Sequence, residues 1–73
     1  MTQMYTIYGK KNCVWCEKAV ALLRLKNRPY TYMELNRDYD IEFLLVKNLT
    51  TVPQIWLDGE YVGGYTELEK SLQ

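Results

Sequence analysis

The sequence has no histidine, and among its 73 residues it has only two prolines, four glycines and two cysteines, with a formal net charge of zero. Each shortage excludes something. Without histidine the chain lacks the usual neutral-pH proton shuttle and the commonest metal ligand, which rules out Ser-His and Cys-His catalysis within it. Nine Lys plus Arg balance nine Asp plus Glu, so no strong field favours DNA, RNA or an anionic membrane, and neither nucleic acid nor membrane is an expected partner. No apolar run approaches the roughly 20 residues of a membrane-spanning helix, and Met1-Thr2-Gln3-Met4 lacks the basic and apolar regions of a secretory signal; the expected compartment is the cytoplasm. Cys13 and Cys16 cannot form a disulfide scaffold, because a bridge between them closes a very short loop and constrains little unfolded-chain entropy. Their pairing points to chemistry rather than to structure.

What is present belongs to a globular chain. At 48% hydrophobic and 14% aromatic the composition is far from that of disorder, and one domain spanning residues 1–73 is expected, with a small core because a chain of this size buries only about 60% of its unfolded surface. No repeat, low-complexity tract or linker interrupts it. The punctuation is limited to Gly9, Asn27 to Pro29, Val52-Pro53, Asp58-Gly59 and Gly63-Gly64.

Between these marks the period alternates. Met4 to Tyr8 is β-branched and aromatic and reads as a strand. From Val14 to Lys26 the apolar residues Cys16, Ala19, Val20 and Leu23 recur on one helical stripe, and Asn27 to Pro29 ends the helix. Tyr30 to Leu35 is again strand-like, which completes a βαβ unit with parallel strands. Asp38 or Asp40 can cap a second helix carrying Ile41, Leu44, Leu45 and Leu49, broken by Thr50-Thr51. Gln54 to Leu57 and Glu60 to Val62 flank Asp58-Gly59, the signature of a two-residue type I′ hairpin. Thr66 to Glu69 matches a capping box and predicts a short last helix. The order β-α-β-α-β-β-α predicts an α/β fold, a four-stranded mixed sheet with three flanking helices.

The chemistry concentrates at Cys13-Val14-Trp15-Cys16, where the first strand meets its helix. A C-x-x-C in that setting is the pattern of a thioredoxin-like redox motif. Cys13 falls at the helix N-terminus, where unpaired N–H groups favour an anion, so its thiolate is expected near neutrality and it is the candidate nucleophile. Cys16, on the apolar stripe, is the candidate resolving thiol. A zinc site competes with this reading but wants four ligands where two cysteines stand, and inert core thiols or a structural disulfide are further alternatives.

Other segments carry two readings each. Lys10 and Lys11 could stabilise the thiolate or hold a carboxylate, or simply be solvated. Trp15 could be an apolar platform beside the sulfur or pack on the sheet edge. Pro53 either opens a strand, with a trans bond as the statistical default, or marks a cis bond. The backbone N–H groups of Tyr65 and Thr66 after Gly63-Gly64 make an anion site or a plain helix start.

Taken together, Tyr8-Gly9-Lys10 leading to Cys13-Val14-Trp15-Cys16, then Thr51-Val52-Pro53-Gln54, then Gly63-Gly64-Tyr65-Thr66-Glu67-Leu68, resembles the glutaredoxins, in particular the short bacterial and bacteriophage dithiol type. The resemblance spans nearly the whole chain. It implies a thioredoxin-like fold, a cis Val52-Pro53 bond, and a thiol-disulfide oxidoreductase, monomeric and without a tightly bound cofactor, that uses glutathione as co-substrate. It further implies protein disulfides or glutathione mixed disulfides as substrates, with ribonucleotide reductase among the acceptors. The implied glutathione site comprises Lys10, Trp15, Thr51, Val52, Pro53, Gly64, Tyr65 and Thr66. Lys10 would attract the glycyl carboxylate, the Val52 backbone would pair with the tripeptide like a strand, and Tyr65 and Thr66 would hold the γ-glutamyl carboxylate.

The chain departs from the family pattern at Val14-Trp15, where Pro-Tyr is frequent, and at Tyr65-Thr66, where Cys or Phe is often followed by Ser or Asp. Two alternatives therefore stand beside the first reading. One is a glutaredoxin-like redoxin reduced by thioredoxin reductase; the other is a carrier of a [2Fe-2S] cluster between two subunits.

Overall fold

The computed structural model describes residues 3–73. Its elements are β1 (Tyr5–Gly9), α1 (Val14–Leu25), β2 (Tyr30–Glu34), α2 (Ile41–Leu45), β3 (Gln54–Leu57), β4 (Glu60–Gly63) and α3 (Tyr65–Ser71). The four strands form one mixed sheet in the order β2-β1-β3-β4. β1 runs parallel to β2, with Tyr5 opposite Tyr30 and Gly9 opposite Glu34, and antiparallel to β3, which is antiparallel to β4. Among the described residues no helix is long and apolar enough to cross a membrane.

Strand alternation gives the sheet two unlike faces. Along β1 the side chains of Tyr5 and Ile7 point to the face covered by α1 and α3, while Thr6 and Tyr8 point away. On the covered face Ile7, Ala19, Leu23, Ile55 and Leu68 are wholly buried and with Tyr5 form the core. Each of the Ile and Leu side chains among them is worth about 1.5–3 kcal/mol for its removal from water.

The opposite face is aromatic. The Tyr8 ring stacks on Phe43 of α2 at 4.6 Å between centroids and meets Trp56 and Tyr39 edge-on at 5.2 and 5.1 Å, and Trp56 continues the cluster to Tyr61 at 5.0 Å. One contact is stacked and the others are tilted or edge-to-face, arrangements compatible with the ring quadrupoles.

Asparagine, not glycine, turns the chain after both of the first two helices. Asn27 has φ 55°, and behind it the Asn27 N–H donates to the Arg24 carbonyl and the Arg28 N–H to the Leu23 carbonyl, the paired bonds of a Schellman motif. Asn48 at φ 59° does the same, with its N–H on the Leu45 carbonyl and the Leu49 N–H on that of Leu44. α2 therefore ends at Leu45, four residues short of the expected limit, because Leu49 returns to the apolar side as the residue after a left-handed stop. Asp40 occupies the N-cap position of α2 without a side-chain cap bond; the Asp38 carboxylate instead accepts the Glu34 N–H at 2.8 Å and pairs with Arg37.

At the hairpin Asp58 and Gly59 have φ 50° and 88°, as a type I′ turn demands. The last helix starts earlier than its sequence suggests. Gly64 is the N-cap of α3, and its N–H donates to Glu67 Oε1 at 2.7 Å, so the reciprocal glutamate is Glu67 and Thr66 lies within the first turn. A glycine can cap in extended geometry with no side-chain oxygen, which hides it from a search for Ser or Thr.

Candidate active site

Cys13 is the N-cap of α1, in extended geometry at φ −116° and ψ 107°. The Cys16 backbone N–H donates to Cys13 Sγ at 3.2 Å, so the sulfur takes the place that a serine or aspartate oxygen takes at other helix starts. The two cysteines are joined as a disulfide with Cα atoms 5.2 Å apart. Their exposures differ: Cys13 keeps 8% of its surface and Cys16 none. Anything arriving from solvent meets Cys13 first.

Two clefts lie beside this sulfur and share Trp15, Thr51 and Val52. One, about 430 Å³, holds Cys13 and Lys10 and is floored by Leu35, Ile41 and Leu44. The other, about 210 Å³, continues past Pro53 to Gly64, Tyr65, Thr66 and Glu67. All eight residues named for the tripeptide thus line one of the two clefts, from the lysine at one end to Thr66 at the other. Trp15 is 53% exposed; its ring lies 5.4 Å from that of Tyr65 and under the Lys18 ammonium, a wall common to both spaces. The Val52-Pro53 bond is cis. Lys11 pairs with Glu34 at 3.9 Å, and of the two lysines it is Lys10 that lines the cleft with Cys13.

Three residues that the patterns do not reveal hold this arrangement in place. Gln54 is 5% exposed; its amide N–H₂ donates to the Thr51 carbonyl at 3.0 Å and to the Thr51 hydroxyl at 3.2 Å, and its carbonyl accepts the Tyr61 hydroxyl at 2.6 Å. The Thr51-Val52-Pro53 loop is thereby tied to β4. Tyr32 and Tyr39 donate their hydroxyls to consecutive carbonyls ahead of the motif, Lys10 at 3.0 Å and Gly9 at 2.9 Å. Burial, then the nearby carboxylates of Glu34 and Glu17, raises the Tyr32 phenol above its ordinary value, which keeps it a donor. Burial likewise raises Tyr39. The sequence hints at two of these roles, through a polar residue directly after Pro53 and a tyrosine, Tyr32, in a strand-like segment; Tyr39, between the strand and the next helix, gives none.

Residues 5–62 match the glutaredoxin family model. The chain belongs to the glutaredoxin family. It is 36% identical over 66 residues to glutaredoxin 3 of Escherichia coli K12, a match covering 85% of this chain and 77% of that one. A stretch of hybrid peroxiredoxin hyPrx5 from Haemophilus influenzae is also 36% identical, covering 89% of this chain but 27% of that longer protein. Among solved structures, glutaredoxin 1 from Francisella tularensis superposes with a TM-score of 0.76 at 26% identity over 96% of this chain and 92% of its own. The fold is the thioredoxin-like fold of that family, and the protein is a glutaredoxin-family thiol-disulfide oxidoreductase whose redox centre is the Cys13–Cys16 disulfide.

Proposed function

We propose that this glutaredoxin draws its electrons from glutathione and passes them to protein disulfides and glutathione mixed disulfides, ribonucleotide reductase being one acceptor that the family resemblance suggests. The observation that carries the reading is the continuity of the two clefts along the Cys13 side of the motif. Thr51 and Val52 line both clefts, and in this reading the Val52 backbone would pair with the tripeptide in the manner of a strand. In this reading Lys10, which lines the cleft with Cys13, would attract the glycyl carboxylate, and the N–H groups of Tyr65 and Thr66, which line the other cleft, would hold the γ-glutamyl carboxylate.

In the forward direction the Cys13 thiolate attacks a substrate sulfur, a Cys13–substrate disulfide forms, and the other substrate sulfur leaves and takes a proton. Cys16 then attacks Cys13 Sγ, freeing the second substrate thiol and closing the Cys13–Cys16 disulfide. One glutathione thiolate opens that disulfide at Cys13, the exposed sulfur, with Cys16 leaving as a thiol. A second attacks the glutathione sulfur, which releases the Cys13 thiolate and oxidised glutathione.

Two assays test this. The oxidised protein is mixed with excess glutathione and, separately, with NADPH and thioredoxin reductase; reduction by glutathione alone is expected, and reduction by the flavoenzyme alone would discard the glutathione site while leaving the dithiol. In the second assay Cys13→Ser abolishes all exchange, whereas Cys16→Ser retains removal of glutathione from mixed disulfides and loses reduction of protein disulfides. Equal loss in the two variants would overturn the assigned roles.

A further inference from the structure

We propose that Tyr32 is a positioning residue for the resolving sulfur: in the reduced protein its hydroxyl oxygen accepts a hydrogen bond from the Cys16 S–H. This rests on the dithiol reading of the site, not on glutathione as the donor. The observation behind it is the hole left by Gly9. A Cβ placed on Gly9 would collide with the Tyr32 hydroxyl and its ring carbon, and would lie 2.9 Å from Cys16 Sγ. The phenol oxygen and the buried sulfur thus border one and the same point, the place of the side chain that Gly9 lacks.

The hydrogen-bond inventory gives the pair a reason. Cys16 is wholly buried, so when the disulfide opens, its new S–H meets no water. A buried donor left unpaired is unfavourable, even a weak one. The Tyr32 hydroxyl has spent its own hydrogen on the Lys10 carbonyl at 3.0 Å, and that bond leaves its lone pairs free. A neutral phenol oxygen beside the thiol favours the protonated form of Cys16, whereas Cys13 Sγ accepts the Cys16 N–H and lies in the cleft with Lys10. The two sulfurs are thereby driven to opposite protonation states in the reduced protein.

The balance is simple. On reduction by dithiothreitol the Cys13–Cys16 bond takes two electrons, and the two dithiothreitol thiols close to a cyclic disulfide. Of their two protons one remains on Cys16 Sγ, and the other goes to solvent to the extent that Cys13 is a thiolate. Removing the tyrosine oxygen takes the bond to the Lys10 carbonyl from both redox forms alike, but only the reduced form contains the S–H donor and loses a second bond.

Tyr39 supplies an internal control, because its hydroxyl holds the adjacent Gly9 carbonyl at 2.9 Å while its ring belongs to the aromatic face with Tyr8 and Phe43. The wild type, Tyr32→Phe and Tyr39→Phe are equilibrated at pH 7 with mixtures of reduced and oxidised dithiothreitol, quenched with acid and alkylated, and the dithiol fraction is read by mass spectrometry. Tyr32→Phe is expected to make the disulfide about fivefold harder to reduce, the effect of one net hydrogen bond, equivalent to about 20 mV. Tyr39→Phe is expected to change the ratio less than about twofold, since the bond to Gly9 is lost from both redox forms alike. An unchanged ratio for Tyr32→Phe, or an equal shift in both variants, overturns the proposal; the latter would assign both tyrosines to general support of the loop. Both substitutions keep the ring, and near-ultraviolet circular dichroism checks that each variant is folded. A wild type that dithiothreitol cannot reduce would overturn the exchange reading of the motif itself, a result distinct from either of these.

Discussion

The two faces of the sheet are built from different materials and do different work. Under α1 and α3 the packing is aliphatic and closed: Ile7, Leu23, Ile55 and Leu68 keep no exposed surface. Under α2 it is aromatic and half open, with Tyr8, Phe43 and Trp56 in mutual contact and Tyr61 52% exposed. The closed face supplies most of the apolar burial and so most of the stability. The open face contributes direction, because its tyrosines and the adjoining Gln54 end in polar atoms that hold the Gly9 carbonyl and the Thr51 loop. A small domain that has little core to spare thus keeps its densest packing beneath the redox helix and uses rings with hydroxyls to fix the loops beside it.

Neighbouring residues on β3 put this contrast to the sharpest test, since Ile55 faces the aliphatic side and Trp56 the aromatic one. Ile55→Ala should lose about 4 kcal/mol, near the upper end for a fully enclosed aliphatic, and Trp56→Ala only about 2 kcal/mol, because part of the indole is already in water. Urea unfolding of the two variants measures both; a larger loss at Trp56 would reverse the ranking of the faces.

Next in size is Gln54→Ala, expected to destabilise by about 1–2 kcal/mol through the bonds to Thr51 and Tyr61. In a glutathione-driven assay it should raise KM severalfold with a smaller change in kcat, since it frees the Thr51-Val52 edge without touching either sulfur. A change confined to kcat would refute that role.

The smallest effect is one of pH. Burial raises Tyr39 and Tyr61 above the ordinary tyrosine value of 10.0, so the folded state holds these protons more tightly than the unfolded one. The corresponding stability is intact below pH 10 and is lost as pH climbs through the folded values. Urea midpoints should therefore fall on the alkaline side, and Tyr39→Phe should flatten part of that fall; an identical slope in the variant would show that Tyr39 does not report on the open face.

Local signals make β1, α1, β2 and the hairpin legible in the sequence, because each rests on a period or a turn dipeptide contained in a few residues. The sulfurs, and eight of the residues that line the two clefts, stand out for the same reason: they sit in three short motifs. α2 was overextended because Leu49 keeps the helical spacing, and nothing in the string Lys47-Asn48-Leu49 distinguishes a continuing turn from a left-handed stop. The start of α3 was misplaced because Thr66 and Glu69 satisfy the capping spacing, while the true N-cap, Gly64, has no side chain to announce it. Tyr32 and Tyr39 carry no local signal because their bonds join residues 22 and 30 positions apart, whereas the bonds of Gln54 to Thr51 and Tyr61 are short in sequence but form only once the loop and the hairpin have folded onto each other.

Asn12, Asn27, Asn36 and Asn48, every asparagine in the chain, adopt positive φ, the conformation for which glycine is the default residue. The consequence lies outside the native state. A glycine at each place would widen the denatured ensemble, and replacing one by a residue with a Cβ where the native backbone tolerates it is worth about 0.4–1 kcal/mol. Asparagine tolerates the left-handed region at modest strain, so the loop before Cys13 and the stops of both early helices are made by residues that wander less when the protein is unfolded. A chain this short, with four glycines in all, begins its folding with correspondingly less disorder to surrender.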